Sequence, residues 1–366
     1  MSLKKDNFSK RENFFMKIAI DLASERVGLT GANPSVGCLI VKKNKIISIG
    51  QTSFNGRPHA EYNAIKKNKI NLKGCEIYIS LEPCSHYGVT PPCTNEIIKS
   101  KIKKVYYAID DTDIRTSNKA ISILKKKKIT VKKNILVNEA RKIYKSYFFN
   151  KKSKYPYTTG KIACSSDFLI SSIKKNITNY CSRQFSHLLR YKNQGILISS
   201  KTINLDNSQL TCRIRGLENF SPKRFILDRN LNIKINSYVV KSAKKINTYI
   251  FYNKKNFNKQ KNLKKFGVKL LKCKLNSDNK IDLKHVLIQI KKLGINYLLV
   301  EGGNKLTESF IVNNLFNEFY LFKSNVALGK KGKNNISKII SKIGHIFLNK
   351  KKVNTYLDKD ELLNYY

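Results

Sequence analysis

The stretch His59–Cys93 organises the chain and reads HAEYNAIKKNKINLKGCEIYISLEPCSHYGVTPPC. Within it, His59, Cys84 and Cys93 offer one imidazole and two thiolates, a ligand set typical of zinc. A tetrahedral zinc with three protein ligands keeps one position for a water molecule, whose pKa the metal lowers to about 7. Glu61 follows His59 by two residues, and we expect it to carry protons beside the metal rather than to bind it. The stretch therefore predicts a hydrolytic zinc site.

The spacing of the two cysteines departs from the usual pattern of zinc nucleobase deaminases. That pattern is His-x-Glu followed by Pro-Cys-x-x-Cys, whereas eight residues separate Cys84 from Cys93. The alternative interpretation is a closed structural zinc site or a pair of reduced core cysteines. A closed site needs a fourth ligand, and His86 is the obvious nearby candidate. Glu61 stands where a base is needed, which favours the catalytic interpretation.

The His-Ala-Glu triplet, the Glu-Pro-Cys triplet and the long loop between the cysteines together resemble one family. This family is the bifunctional riboflavin-biosynthesis enzymes, in which a pyrimidine deaminase is fused to a reductase. The resemblance implies an α/β fold with two domains. Residues 1–150 would form a cytidine-deaminase-like three-layer domain, and residues 151–366 a dihydrofolate-reductase-like domain. It also implies one Zn²⁺ per chain, NADPH as second cofactor and a small phosphoribosylaminopyrimidine as substrate.

Two loops around the predicted zinc site are associated with substrate binding in the resembled family. The turn Asn33–Gly37 lines the pyrimidine pocket there, so the resemblance implies that Asn33 contacts the base. His86 is either a polar contact to the substrate or a solvated loop residue. This chain departs from the family at Val89, where a basic residue is usual, and at Asp110–Asp113, where an Asp-Pro-Asn-Pro type segment is usual. The metal chemistry is complete, but substrate affinity is expected to be weaker or differently supplied.

The second domain carries a weaker chemical signal. Tyr297–Asn304 reads YLLVEGGN, a strand that ends in two glycines before a helix. Glycines at such a position let a phosphate approach the backbone N–H groups of the helix start. Together with Ser199–Thr202 and Asp206–Arg213, this segment resembles the reductase half of the same family. The resemblance implies that NADPH is held by Ala163, Thr202, Asp206 and Gly303, and the substrate by Arg190, Leu210, Arg213 and Glu301.

The predicted reductase half also departs from the family pattern. Phe168 stands where a Ser-x-Asp-Gly segment ends in glycine, and the family's nearby tryptophan is missing, with Asn176 or a neighbour in its place. The cofactor-loop Asp-Asp-Pro is Asp206-Asn207-Ser208. We therefore expect deamination to be better preserved than reduction, with a deaminase whose reductase domain has decayed as the alternative.

The net charge of +48 raises the question of nucleic-acid binding. The lysines recur throughout the chain instead of gathering in one arm, and Lys, Asn and Ile all have AT-rich codons. We therefore predict no specific nucleic-acid partner. An RNA-binding or RNA-editing protein remains the alternative of a different class, which a cluster of Lys and Arg around His59 would favour. A cytidine or deoxycytidylate deaminase is a further alternative, and the cysteine spacing and the large second domain speak against it.

The eight cysteines show no disulfide-framework spacing and indicate a reducing compartment. No hydrophobic run is long enough to cross a bilayer, and the first residues lack an apolar signal core. We therefore expect a soluble, cytoplasmic protein without a membrane partner. The sequence does not determine the oligomeric state, and a homo-oligomer is one of the options.

Hydrophobic runs predict the elements around these motifs. In the first domain the predicted order is a helix over residues 11–27, a hairpin, and a helix after His59. Further strands and helices are predicted up to Phe149. Lys151–Lys154 is predicted to be a linker. The strands predicted in the second domain are Tyr157–Ala163, Gly195–Ser199, Arg224–Leu227, Tyr249–Tyr252, Val268–Leu271, Tyr297–Val300 and Asn317–Ala327.

Overall fold

The computed structural model describes residues 8–66, 70–172 and 176–366, and it divides into two compact units, Met1–Ser153 and Lys154–Tyr366. The helices and strands of the first unit are α1 (Lys10–Glu25), β1 (Gly37–Lys42), β2 (Lys45–Gln51), α2 (Ala60–Lys66), β3 (Glu76–Ile79), α3 (Cys93–Lys99), β4 (Lys104–Tyr107), α4 (Lys119–Lys126), β5 (Thr130–Lys133) and α5 (Val137–Lys152).

The first unit is built on a five-stranded sheet with the order β2-β1-β3-β4-β5. β1 pairs antiparallel with β2 and β3, whereas β3, β4 and β5 are parallel. Helices α1 and α5 pack on one face of this sheet, and α2, α3 and α4 on the other. This is the three-layer arrangement predicted from the sequence. The prediction of a linker at Lys151–Lys154 was wrong in part, because α5 continues through Lys152, where basic side chains suit a helix C-terminus.

Two glycines show why α1 and α2 can lie so close to the sheet. A Cβ on Gly37 would stand 2.0 Å from the carbonyl oxygen of Ala19 in α1. A Cβ on Gly50 would stand 2.1 Å from the carbonyl oxygen of Ala60 and 2.6 Å from the amide nitrogen of Ala64, both in α2. Because Gly50 is opposite Cys38 in the β1–β2 pair, these two glycines face opposite sides of the sheet. Gly37 therefore allows the backbone of α1, and Gly50 the backbone of α2, to lie directly against the sheet.

The second unit contains β6 (Tyr157–Cys164), β7 (Leu169–Ser172), α6 (Tyr180–Tyr191), β8 (Gly195–Ser199), α7 (Ser200–Asp206), β9 (Lys223–Leu227), α8 (Tyr238–Lys241), β10 (Thr248–Tyr252), α9 (Phe257–Lys265), β11 (Lys269–Lys272), α10 (Leu283–Lys292), β12 (Tyr297–Glu301), α11 (Asn304–Val312), β13 (Glu318–Lys323), β14 (Gly332–Asn335), α12 (Ser337–Ile346), β15 (Lys350–Lys352) and β16 (Glu361–Tyr365).

A nine-stranded sheet with the order β11-β10-β9-β8-β12-β6-β13-β16-β15 forms the centre of the second unit. The strands from β11 to β13 are parallel, and β16 pairs antiparallel with β13 and β15. Successive residues of β8, such as Leu197 and Ile198, enter separate hydrophobic clusters on the two faces. Burial on both faces explains why these strands are almost continuously apolar.

Some strands of the second unit were not predicted, and their composition explains why. β15 consists of three lysines, and β14 reads Gly-Lys-Asn-Asn, so neither carries a hydrophobic signal. β16 lies inside the main sheet, but its sequence Glu-Leu-Leu-Asn-Tyr lacks a clear alternation of apolar and polar residues. The strand predicted at Asn317–Ala327 is shorter than expected, because β13 ends at Lys323. Among the described residues, no helix is both long and apolar enough to span a membrane.

We expect the substitution Gly50→Ala to separate α2 from β2. The new Cβ would meet helix backbone that no side-chain rotation can move, so unfolding of the first unit should require less free energy by roughly 1–3 kcal/mol or more. Since α2 follows His59 directly, bound zinc should also decrease. Thermal unfolding and metal analysis measure both effects.

Gly344→Ala is the matched control, because a Cβ on Gly344 in α12 meets nothing within 4 Å. That variant should be neutral or stabilised by about 0.5–1 kcal/mol. Identical behaviour of the two variants would contradict the proposed close packing of α2 on β2.

Candidate functional site

Three side chains of the first unit form a cluster suited to a metal ion. The Nδ1 atom of His59 lies 3.5 Å from the Sγ atom of Cys84 and 3.4 Å from that of Cys93. All three ligand atoms lie within 4.8 Å of one another. A tetrahedral zinc with bonds of about 2.0–2.3 Å spaces its ligands about 3.6 Å apart. The donor set and its spacing therefore fit zinc.

Local structure brings these ligands together from distant parts of the sequence. His59 directly precedes α2, and Cys93 is the first residue of α3. Cys84 belongs to the loop after β3, and its sulfur accepts a hydrogen bond of 3.2 Å from the Cys93 backbone N–H. Backbone N–H groups at a helix start favour negative charge, so they stabilise the thiolate form of Cys84.

The thiols of Cys84 and Cys93 have very different pKa values. A hydrogen bond from the Cys93 side chain, together with bonds from His59 and the Cys93 backbone, lowers the pKa of Cys84 to about 4 despite its burial. The pKa of Cys93 is raised far above its usual value, because its thiol is that donor and is itself buried. A divalent cation deprotonates coordinating thiols outright. The two thiols and the imidazole are therefore a donor set that suits a dication.

Glu61 is a buried carboxyl group next to this cluster, with 3% of its surface exposed. It lies in the first turn of α2 and is not one of the three clustered metal ligands. Burial, with the nearby Cys84 thiolate as a second cause, raises the pKa of Glu61 to about 7. A carboxyl group with such a pKa exchanges protons readily at neutral pH.

Glu82 is a functional residue whose role the sequence analysis missed. Its buried carboxylate accepts hydrogen bonds from the backbone N–H groups of Asp111 (3.2 Å), Asn118 (3.0 Å) and Ala120 (3.2 Å). It thereby caps α4 from a distance and fixes the 111–120 segment beside the Cys84 loop. The available signal was an acidic residue two positions before a ligand and three positions after the end of an apolar strand.

Asn33 and His86 both lie in loops held by hydrogen bonds. The Asn33 amide nitrogen donates to the carbonyl oxygen of Gly56 at 3.1 Å, in the turn that leads to His59. The His86 Nδ1 atom forms a 3.0 Å hydrogen bond with the Thr116 hydroxyl. His86 therefore joins the Cys84–Cys93 loop to the segment that Glu82 holds. It is not among the clustered metal ligands of the described residues, so the closed four-ligand site predicted as an alternative finds no support.

The residues predicted for the reductase half gather at one edge of the second sheet. β8, β12 and β6 are neighbouring parallel strands, so their carboxyl ends meet. Ala163, Glu301 and Gly303 stand at or just after these ends, and Thr202 lies in the first turn of α7, directly after β8. Ligands of open α/β sheets bind outside this edge, where connections leave in opposite directions.

Arg190 and Glu301 form a bidentate ion pair at this edge. Nε of Arg190 lies 2.7 Å from Oε1 of Glu301, and Nη2 lies 2.9 Å from Oε2. Nη1 of Arg190 donates to the carbonyl oxygen of Thr211 at 3.1 Å. Burial alone would raise the pKa of Glu301, but the Arg190 charge, aided by Lys161, lowers it to about 2. The pair therefore stays ionised throughout the neutral range.

The remaining residues predicted for the second unit differ in exposure. Arg213 is exposed, and within the part of the chain that the structure describes it forms no ion pair. Leu210 is buried with a φ of 56°. Asp206 is the exposed last residue of α7. Around Gly303, which caps α11, an added Cβ would meet nothing within 4 Å, so the helix start is open to a ligand.

Phe168 adopts a left-handed backbone conformation with a φ of 63°. Glycine adopts this conformation freely, whereas a side chain with a Cβ makes it strained. The preceding residue, Asp167, accepts backbone hydrogen bonds from Leu328 at 3.1 Å and Gly329 at 2.8 Å. The segment therefore keeps its turn, with an aromatic ring in place of a glycine.

Comparison with known proteins identifies both units. Residues 9–109 match the cytidine and deoxycytidylate deaminase zinc-binding region, and residues 157–356 match the RibD C-terminal domain. The riboflavin biosynthesis protein RibD of Aquifex aeolicus is 35% identical, covering 86% of this chain and 87% of that protein. RibD of Bacillus amyloliquefaciens is 33% identical, covering 87% and 85%.

Solved structures agree with these matches. RibD of Acinetobacter baumannii superposes with a TM-score of 0.81 at 26% identity, covering 97% of this chain and 98% of that one. A diaminohydroxyphosphoribosylaminopyrimidine deaminase/5-amino-6-(5-phosphoribosylamino)uracil reductase from Thermotoga maritima gives 0.79 at 28% identity, with the same coverage. The predicted fold class, Zn²⁺ and NADPH are thereby confirmed. The chain belongs to the RibD family of riboflavin-biosynthesis proteins, which join a zinc deaminase domain to a reductase domain.

Proposed function

We propose that the first unit deaminates 2,5-diamino-6-(5-phosphoribosylamino)pyrimidin-4-one at C2. The second unit then reduces the ribosyl group of the product to ribityl with NADPH. The observation that carries the proposal is the His59, Cys84 and Cys93 cluster with the buried carboxyl group of Glu61 beside it. The match of the second unit to the RibD C-terminal domain supplies the second reaction.

In the deaminase site, His59, Cys84 and Cys93 would hold the zinc ion, which when bound activates water as a Lewis acid. Glu61 accepts the two protons of the attacking water in turn and delivers one to the ring nitrogen that is doubly bonded to C2 and the other to the exocyclic amino nitrogen on C2. The C2–N bond breaks, ammonia leaves, and a carbonyl group remains at C2. The raised pKa of Glu61 suits both halves of this transfer, because the group gains and loses a proton near pH 7.

Asn33 and His86 would orient the pyrimidine. The Gly56 carbonyl holds the Asn33 side chain by its amide nitrogen, so the amide oxygen is available to accept a hydrogen bond from a ring or amino N–H. Nδ1 of His86 is engaged with Thr116, and Nε2 is the nitrogen that would meet the substrate. These roles rest on the resemblance and on the anchoring seen here.

In the reductase site, NADPH when bound supplies the hydride. The open helix start at Gly303, with Ala163, Thr202 and Asp206, would hold this cofactor. Arg213 and Leu210 would contact the substrate. Arg190 donates three of its five N–H groups to Glu301 and Thr211, so two N–H groups are left for a substrate phosphate. The ion pair of Arg190 with Glu301 also fixes the end of strand β12.

We infer the cellular setting from the cysteines and the charge. All eight cysteines are free thiols, as expected in the cytoplasm. Polyanions should bind through the general excess of lysine, weakly and with a steep salt dependence, without sequence selection. A homo-oligomer remains compatible with a small-molecule enzyme of this type.

Metal analysis tests the ligand set. The Cys93→Ser variant should lose most of its zinc, because a neutral hydroxyl replaces one of two thiolates. Cys181→Ser, in the second unit, should keep one zinc per chain. Full zinc retention by Cys93→Ser would show that the ligand assignment is wrong.

The proton-transfer role of Glu61 has a separate test. Glu61→Gln should retain zinc and lose ammonia release by ~10²–10⁴-fold, the usual contribution of a positioned general acid–base. Glu139→Gln, in α5 outside the cluster, serves as the control. Near-normal ammonia release by Glu61→Gln would remove Glu61 from the mechanism.

Reduction should be the weaker of the two activities. Hydride transfer needs two bound molecules in register, and a misplacement of about 1 Å can cost about 10²-fold. Ammonia release and NADPH oxidation, measured separately on one preparation, compare the halves. Phe168→Gly should raise NADPH oxidation and leave ammonia release unchanged. If saturated NADPH oxidation of the unaltered protein keeps pace with ammonia release, the departures are neutral.

A further inference from the structure

Arg57 lies two residues before the metal ligand His59 and has no part in the chemistry described above. Its Nη1 donates a hydrogen bond to the Thr90 hydroxyl. Its Nη2 lies 3.3 Å from the position that a Cβ on Gly88 would occupy. The guanidinium therefore rests against the Cys84–Cys93 loop, and its charge interacts electrostatically with His59.

Three cations paired with the 110–113 segment, Arg115, Lys133 and Lys151, are already neutralised by its carboxylates. Asp113 pairs with Arg115, through Nη2 at 2.6 Å, and with Lys151 at 2.9 Å. Asp110 pairs with Lys133 at 2.9 Å. By contrast, no carboxylate of the described residues lies within ion-pair distance of Arg57. The charge of Arg57 beside His59 is therefore not compensated by any carboxylate of the described residues.

The hydrogen bond to Thr90 leaves most of the guanidinium unused. It takes one N–H of Nη1, so the edge formed by Nε and Nη2 makes no hydrogen bond with any described residue. That edge is a planar fork, which matches two oxygens of a phosphate group. The Thr90 contact also fixes the plane of the fork, which reduces the entropy lost when an anion binds.

The loop itself offers little else to a dianion. Its eight residues, Ser85–Pro92, include no Lys or Arg, and their one histidine, His86, is bonded to Thr116. A substrate phosphate lying against this loop would find no cation within the loop itself, and an uncompensated phosphate is costly to desolvate.

We propose that Arg57 is a specificity-determining residue that binds the phosphate group of the deaminase substrate, with Thr90 holding its guanidinium in place. The proposal rests on the deamination proposed above. It differs from a purely structural role, in which Arg57 only holds the loop that carries Cys93. A loop clamp would affect all substrates and the metal alike, whereas a phosphate ligand affects phosphorylated substrates alone.

Steady-state deamination should be compared on the phosphorylated pyrimidine and on the same compound lacking its phosphate. Arg57→Ala should raise KM for the phosphorylated substrate by about 10- to 100-fold, the usual effect of losing a charge-assisted hydrogen bond. Its kcat should stay within about twofold, because the lost contact is present equally in the ground and transition states. The dephosphorylated substrate should show no change.

Three further variants separate the explanations. Arg57→Lys should recover part of the affinity, since it keeps the charge without the fork. Thr90→Val should raise KM less than Arg57→Ala does, and only for the phosphorylated substrate. Arg141→Ala removes the same charge from an exposed position in α5 and should behave as the unaltered protein. All variants should retain zinc.

Equal losses by Arg57→Ala on both substrates, loss of zinc, or no effect on KM would each overturn the proposal. If the unaltered protein releases ammonia from neither substrate, the proposed deamination fails, and direct binding then decides the role of Arg57. Ribose 5-phosphate is titrated calorimetrically in an Arg190→Gln, Arg213→Ala background, which removes both cationic substrate contacts expected in the second unit. Weaker binding after adding Arg57→Ala supports the phosphate site, and unchanged binding refutes it.

Discussion

One imidazole nitrogen and two sulfur atoms must meet within a few ångströms, and the first unit is organised around that requirement. Two of the three ligands stand at helix starts, so the positions of α2 and α3 set the site. Gly50 lets α2 lie directly on β2, and the N–H group at the start of α3 bonds to the third ligand, Cys84. Glu82 then ties the next segment to the same loop. The site is thus a product of backbone contacts more than of side-chain packing.

The sequence predicted the parts of this arrangement that have local signals. The fold class was confirmed, and the parallel strands of the second unit were found because burial on both faces makes them uniformly apolar. The metal ligands were named from residue chemistry, and the structure brings them together. Strands without such signals escaped notice. β15 is three lysines on a sheet edge, and β16 is recognisable only through its pairing with β13.

Roles that depend on long-range contacts could not be predicted in the same way. Glu82 was quoted within its motif, but its three backbone partners lie 29, 36 and 38 positions away, and no period or spacing connects them. The Arg190–Glu301 pair was predicted as two substrate contacts. The structure shows that each is first of all the partner of the other, at a separation of more than one hundred residues. In contrast, the left-handed Phe168 was predictable, because a single backbone dihedral is a local property.

Charge has to be interpreted with the composition of this chain in mind. Lys and Arg number 72 against 24 Asp and Glu, so a basic residue near a site carries little information by itself. Acidic residues are more informative, and several of the buried or half-buried ones hold structure or chemistry, as Glu61, Glu82 and Glu301 do. A basic side chain becomes informative when its geometry is fixed and its charge is left unpaired. Arg57, beside the metal cluster, has both a fixed geometry and an unpaired charge. Arg213, at the sheet edge, has only the unpaired charge. In a chain with this excess of lysine, anchoring rather than charge therefore distinguishes a ligand-binding cation from the solvated ones.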